Sequence, residues 1–186
     1  MKFIKTALSD VVIIEPKIFK DERGYFYESF NQEKFNANIG ENISRTNFIQ
    51  DNESKSTFGV LRGLHFQKPP FAQAKLVRCN KGKVLDVVVD LRKKSTTYGK
   101  HVSVFLSEEN KKQLFVPRGF AHGFVVLSEE AIFSYKVDNK YAPSHEDGIL
   151  WNDKILNIDW NIAQEKIILS AKDEILSTFE NFDSPF

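Results

Sequence analysis

Val84-Leu85-Asp86-Val87-Val88-Val89-Asp90-Leu91 has a period of two: Leu85, Val87, Val89 and Leu91 alternate with Asp86, Val88 and Asp90. Successive side chains of a β-strand point to opposite faces, so this alternation predicts a strand with one buried face. Working outward, similar short runs occupy 11–14, 24–30, 48–51, 60–67, 75–78, 102–106, 113–116, 123–127 and 132–137. Pro69-Pro70, Pro117, Pro143 and the segment 107–110 punctuate them. Helical spacing is confined to 32–39, with a short turn near 152–156 and an ambiguous end after Asp173. Many short strands with turn signals between them predict an all-β barrel or sandwich with accessory helices.

The chain has 186 residues and no repeat or low-complexity linker, so a single unit spanning 1–186 with a sizeable core is expected. Twenty-six Lys and Arg balance 25 Asp and Glu, leaving a formal charge of +1. No global field draws the chain to nucleic acid or to an anionic membrane, and any anionic ligand must be held locally. The opening Met1-Lys2-Phe3-Ile4-Lys5-Thr6 lacks the apolar centre of a signal peptide. No apolar stretch nears the roughly 20 residues of a spanning helix. A soluble, cytoplasmic protein is expected. Cys79 is the only cysteine, which excludes an internal disulfide and a thiolate zinc cluster within one chain. Its apolar strand setting predicts a buried, inert thiol.

The chemistry concentrates in two segments. Gly59-Val60-Leu61-Arg62-Gly63-Leu64-His65-Phe66-Gln67 supplies a histidine that titrates near neutrality, and Ala72-Gln73-Ala74-Lys75-Leu76-Val77-Arg78 supplies a cation. Removing a proton beside a carbonyl requires a base and something to steady the oxygen that becomes negative, which His65 and Lys75 could provide together. By itself Lys75 reads as a solvated strand lysine. A histidine base also needs a partner that fixes its tautomer; Asp173 is a remote candidate whose proximity spacing cannot supply. Perfect alternation would point Arg62 and His65 to opposite faces, so bringing both to one ligand requires a bulge or twist at Gly63.

Pro117-Arg118-Gly119-Phe120-Ala121-His122 reads Pro-x-Gly-x-x-His and resembles the second signature motif of cupins, double-sheet β-barrels with a site in the barrel mouth. Metal-binding cupins pair this histidine with a His-x-His strand. Here that strand reads His65-Phe66-Gln67, so the ligand set is incomplete and a metal-free site with no cofactor is expected.

Further blocks make the resemblance narrower. Asp21-Glu22-Arg23-Gly24-Tyr25-Phe26-Tyr27-Glu28-Ser29-Phe30, Gln50-Asp51-Asn52, Ser134-Tyr135-Lys136, Tyr141-Ala142-Pro143, Ile149-Leu150-Trp151-Asn152-Asp153 and Leu169-Ser170-Ala171-Lys172-Asp173 join the segments above in order. Together they resemble the dTDP-4-dehydrorhamnose 3,5-epimerases over nearly the whole chain. The resemblance implies a cupin-type double-sheet jelly-roll barrel that inverts two carbons of a nucleotide-linked 4-keto-6-deoxysugar. It implies His65 as base, Asp173 as its orienting partner, Tyr135 as acid on the opposite face and Lys75 beside the enolate oxygen. It also implies sugar and pyrophosphate contacts from Arg23, Arg62 and Lys172, stacking of Tyr141 on the nucleotide base, and ligand contacts from Glu28, Gln50, Asp51, Asn52, His122 and Glu146. A homodimer with exchanged N-terminal strands is implied too. The alternatives are an enzyme on the same scaffold that inverts one carbon or isomerises a related keto sugar, and a non-catalytic cupin that binds sugar nucleotides. The joint presence of His65, Lys75, Tyr135 and Asp173 argues against the last.

Overall fold

The computed structural model describes residues 1–40 and 46–186. Its strands are β1 (Lys2–Lys5), β2 (Val12–Glu15), β3 (Phe19–Asp21), β4 (Gly24–Phe26), β5 (Gln50–Thr57), β6 (Leu61–Gln67) and β7 (Lys75–Lys81). They continue as β8 (Lys83–Asp90), β9 (His101–Ser107), β10 (Gln113–Val116), β11 (Phe120–Val126), β12 (Glu130–Val137) and β13 (Glu146–Gly148). The α-helices are α1 (Gln32–Asn38) and α2 (Ala171–Glu174). The strands form a six-stranded sheet in the order β1-β2-β10-β7-β12-β5 and a five-stranded sheet in the order β13-β6-β11-β8-β9; β3 and β4 make a separate hairpin. All named pairings are antiparallel.

Alternation explains why the two sheets close on each other. Val77, Cys79, Leu114, Val116 and Phe133 of the larger sheet meet Val84, Val88, Phe120, Phe124 and Val126 of the smaller one in a shared core. This is the expected all-β, cupin-type double-sheet barrel. Cys79 is buried in that core, where burial pushes its thiol up to about 12, matching the inert thiol expected from its strand setting.

The strand through 84–91 departs from the expectation of one buried face, because Val84–Asp90 is buried on both. The outward set Leu85, Val87 and Val89 lies beneath Trp151, Leu156 and Trp160 of the C-terminal segment, whose irregular backbone carries no periodic signal. Asp86 therefore points inward, between the sheets, rather than toward water. On the other outer face, α1 seats Phe35 and Ile39 against Val12, Ile14, Leu76 and Phe115. Seven residues are too few for a stable isolated helix. Burial of Phe35 and Ile39, worth roughly 2–3 kcal/mol each, holds it together with the Asn31 cap, which accepts from the Lys34 amide at 3.0 Å.

Candidate active site

The five-stranded sheet carries the histidine through a local irregularity. His122 pairs with His65 and Phe124 with Arg62, so two steps along β11 match three along β6. The extra residue falls at Gly63-Leu64 and turns Arg62 and His65 toward the same cavity, as the sequence required of a bulge. Gly63 has φ +129°, and a Cβ there would lie 2.5 Å from Gly123 Cα. Only glycine fits this close approach of two backbones.

Between the sheets lies a cavity of about 490 Å³. His65 enters from β6 and His122 from β11, while Lys75 on β7 and Tyr135 on β12 enter from the facing sheet. Arg62, Tyr141, Glu146, Lys172 and Asp173 complete the rim. Nine of the fourteen residues expected at the site therefore share one cavity.

His65 Nε2 is hydrogen-bonded to Asp173 Oδ1. Asp173 sits at the start of α2, where it also accepts from Ser170 Oγ at 2.9 Å. Burial alone would raise its pKa, but the His65 contact and the Ser170 hydroxyl outweigh this and lower it. Asp173 is thus held as a carboxylate facing an imidazole. Lys75 makes no ion pair among the described residues. Burial pushes its ammonium down to about 8, against the pull of Glu146 and Asp86. Burial likewise raises the Tyr135 phenol, which Arg62 lowers and Glu146 raises, so Tyr135 carries its proton at neutral pH.

The rim residues hold one another. Arg62 donates to Ser56 Oγ through Nε at 3.2 Å and Nη2 at 3.1 Å. Glu146 accepts from Tyr141 Oη at 2.7 Å and pairs with Lys172. Gln67, at the position where a metal-binding cupin would place a second histidine, is buried with its amide committed to a loop. Its Nε2 donates to Phe71 O at 2.7 Å and Lys140 O at 3.1 Å, and its Oε1 accepts from Ala142 N at 2.7 Å. No cluster of three His, Cys, Asp or Glu side chains suited to a metal ion occurs among the described residues.

Five expected residues do not line this cavity within one chain. Arg23 stands at the tip of the β3–β4 hairpin, exposed and paired with Asp21, and Glu28 pairs with Lys34. Gln50, Asp51 and Asn52 lie on β5, at the edge of the larger sheet. Register puts Asn52 opposite Tyr135 and Gln50 opposite Val137, on the cavity-side face, while Asp51 turns to the other face and pairs with Lys136. Conversely, the structure adds Asp86, Ser56 and Ser170, each bonded to a site residue. Ser170 had a local signal, a serine three residues before Asp173 at a helix start; Asp86 and Ser56 had none.

Known proteins resemble this chain throughout its length. The family model described as dTDP-4-dehydrorhamnose 3,5-epimerase matches residues 5–181. The dTDP-4-dehydrorhamnose 3,5-epimerase of Shigella flexneri is 57% identical over 173 residues, covering 93% of each chain. Among solved structures, that of dTDP-4-dehydrorhamnose 3,5-epimerase from Elizabethkingia anophelis has a TM-score of 0.93 at 55% identity and covers 97% of both chains. That of dTDP-6-deoxy-D-glucose-3,5-epimerase from Legionella pneumophila, in complex with dTDP-4-keto-L-rhamnose, has a TM-score of 0.92 at 45% identity; it covers 98% of this chain and 94% of that one.

Proposed function

Since this chain belongs to the dTDP-4-dehydrorhamnose 3,5-epimerase family, we propose that His65, Asp173, Lys75 and Tyr135 carry its reaction. The enzyme epimerises a dTDP-linked 4-keto-6-deoxysugar at C3 and C5, taking dTDP-4-dehydro-6-deoxy-glucose to dTDP-4-dehydro-rhamnose. Both carbons flank the C4 ketone. Loss of either proton leaves an enolate whose negative charge gathers on the ketone oxygen.

The geometry supports each step of this reading. Asp173 engages His65 Nε2, which leaves Nδ1 as the nitrogen that takes the sugar proton. The buried carboxylate then stabilises the imidazolium. Lys75 steadies the enolate oxygen, a role that needs the ammonium form. Tyr135 returns a proton from the facing sheet. Inversion needs removal from one side and return from the other, and His65 and Tyr135 on opposite walls of one cavity carry this reading. Arg62 and Lys172 take the pyrophosphate, where guanidinium donors suit a phosphate geometry, and Tyr141 stacks on the nucleotide base. No cofactor or metal enters these steps, and the whole chain acts as one unit.

Arg23 and Glu28 join the site through a homodimer. Arg23 lies on a hairpin whose Phe19, Tyr25 and Phe26 are 52%, 56% and 71% exposed, an apolar surface suited to a second copy of the chain. Docked there, the hairpin brings Arg23 and Glu28 to the other copy's cavity, while Gln50 and Asn52 extend the rim from β5. No helix among the described residues is long and apolar enough to cross a membrane. A lone free cysteine suits work in the reducing cytoplasm.

Wild-type enzyme incubated in D₂O with the 4-keto-6-deoxysugar nucleotide and no added metal should incorporate deuterium at C3 and C5 and invert both. His65→Asn should abolish incorporation, because it removes the base of the proposed mechanism and the partner of Asp173. Undiminished incorporation in His65→Asn would remove His65 as base. Exchange at one carbon in the wild type would instead define a mono-epimerase.

A further inference from the structure

Asp86 is fully buried in the middle of β8, yet neither its charge nor its contacts belong to the packing around it. Its inward neighbours on the strand, Val84 and Val88, are apolar and buried. Its two oxygens lie 3.0 and 2.9 Å from Nε2 of His122, whose ring lines the cavity and stacks near Phe133 at a centroid distance of 6.2 Å. Lys75 faces the same space from the opposite sheet. Burying a carboxylate between sheets opposes its ionisation, and burial raises the pKa of Asp86 while His122 and Lys75 lower it. An apolar residue or asparagine would avoid that penalty. A carboxyl group set in the wall of the cavity, where burial opposes its charge, points to function rather than packing.

We propose that Asp86 is a positioning residue of the epimerisation: from behind the cavity wall its carboxylate anchors His122 and keeps Lys75 in the ammonium form that the enolate requires. The inference rests on Lys75 acting as proposed above. Asp86 acts through two residues rather than on the sugar. Its contact fixes the His122 ring by Nε2, so that Nδ1 is the nitrogen available to the cavity. Its negative charge opposes the burial that drives Lys75 toward neutrality. The other titratable groups around that cavity are Glu53 on β5, His65 and Arg62 on β6, Tyr135 on β12, Tyr141 after it, Glu146 on β13, and Lys172 and Asp173 on α2. Of these, Glu146 also favours the Lys75 ammonium, but from the mouth, where Lys172 and Tyr141 already engage it. Asp86 is the acid reaching Lys75 from the interior.

The sign of the effect is fixed. Lys75 must be protonated to act, so kcat falls on the alkaline side as Lys75 loses its proton, near pH 8. Replacing Asp86 by Asn removes the charge that holds the proton, so the alkaline limb of the kcat profile moves to lower pH, by about one unit. At pH 8 the ammonium fraction falls from about one half to about one tenth, so kcat for double inversion falls about fivefold, with little change in KM. The melting temperature stays level or rises, because a penalised buried charge is gone. A residue that merely packs would lower the melting temperature and leave the limb in place.

The test is a pH series of kcat and KM for the full-length wild type, Asp86→Asn, Lys75→Arg, the double variant and Lys75→Met. Arginine stays charged at every pH used, so Asp86→Asn should move no alkaline limb in the Lys75→Arg background. If Asp86→Asn does not fold, Asp86→Ser, smaller and still able to accept from His122, takes the same readouts. An unmoved limb and unchanged kcat in the folded Asp86 variant, with Lys75→Met inactive, overturns the inference and leaves the role of Lys75 standing. A fully active Lys75→Met overturns that role and the inference with it.

Discussion

At the scale of single residues, the site sets the two proposed proton carriers in different environments. His65 has a carboxylate behind it, and Tyr135 has burial around it, which keeps its hydroxyl protonated. Tyr135→Phe removes the proposed returning acid while leaving the proposed base intact. Deuterium exchange at the ring carbons should continue at a reduced rate, because His65 can return a solvent deuteron to the face it came from. Double inversion should drop by about 10²–10³-fold, the usual worth of a positioned acid. Mass and NMR spectra of the recovered sugar separate the two outcomes, and inversion at the wild-type rate would take Tyr135 out of the mechanism. His65 and Lys75 were legible in the sequence because each is a residue type the chemistry needs. Their partners were less so: Asp173 lies 108 positions from His65, and only resemblance could join them. Asp86 read as a solvent-facing acid because the cover over the other side of β8 was invisible.

At the scale of elements, β6 shows where a periodic pattern fails for a functional reason. A regular strand cannot present Arg62 and His65 to one cavity, and the expectation of a bulge at Gly63 came from that conflict. The structure resolves it with the close packing of Gly63 on Gly123. Gly63→Ala adds a methyl 2.5 Å from the opposing backbone and should destabilise the fold by about 2–3 kcal/mol. Gly40 has a comparable φ of +109° but nothing among the described residues within 4 Å of a built Cβ, so Gly40→Ala should cost only about 1 kcal/mol. Urea denaturation of both variants measures the difference, and equal losses would show that φ alone, not the β6–β11 contact, demands glycine at 63. The ten predicted strand runs all overlap observed strands, with bounds displaced by a few residues, and α1 falls within 32–39. β1, β3 and β13 were missed: they are three or four residues long, too short for a period to register.

At the scale of the whole molecule, the division of expected site residues is itself informative. Those from β6, β7, β11, β12 and α2 converge, whereas Arg23 and Glu28 on the N-terminal arm stay outside the cavity of their own chain. Sequence order cannot reveal whether a residue serves its own chain or another, because both arrangements use the same pattern. Exchange of the arms between two copies predicts a specific complementation. On the proposed roles, Arg23→Ala and His65→Asn should each inactivate a homodimer. In a mixed dimer, the chain that retains His65 receives an intact Arg23 from the other copy, and the remaining site carries both defects. Random mixing of equal amounts makes half of the dimers mixed, each with one working site, so co-refolded variants should recover about a quarter of wild-type activity. If Arg23 instead served its own chain, every site in the mixture would carry one defect, and activity would stay at the level of the separate variants. Light scattering on the same mixture reports the dimer itself, and a monomeric mixture would reject the exchange.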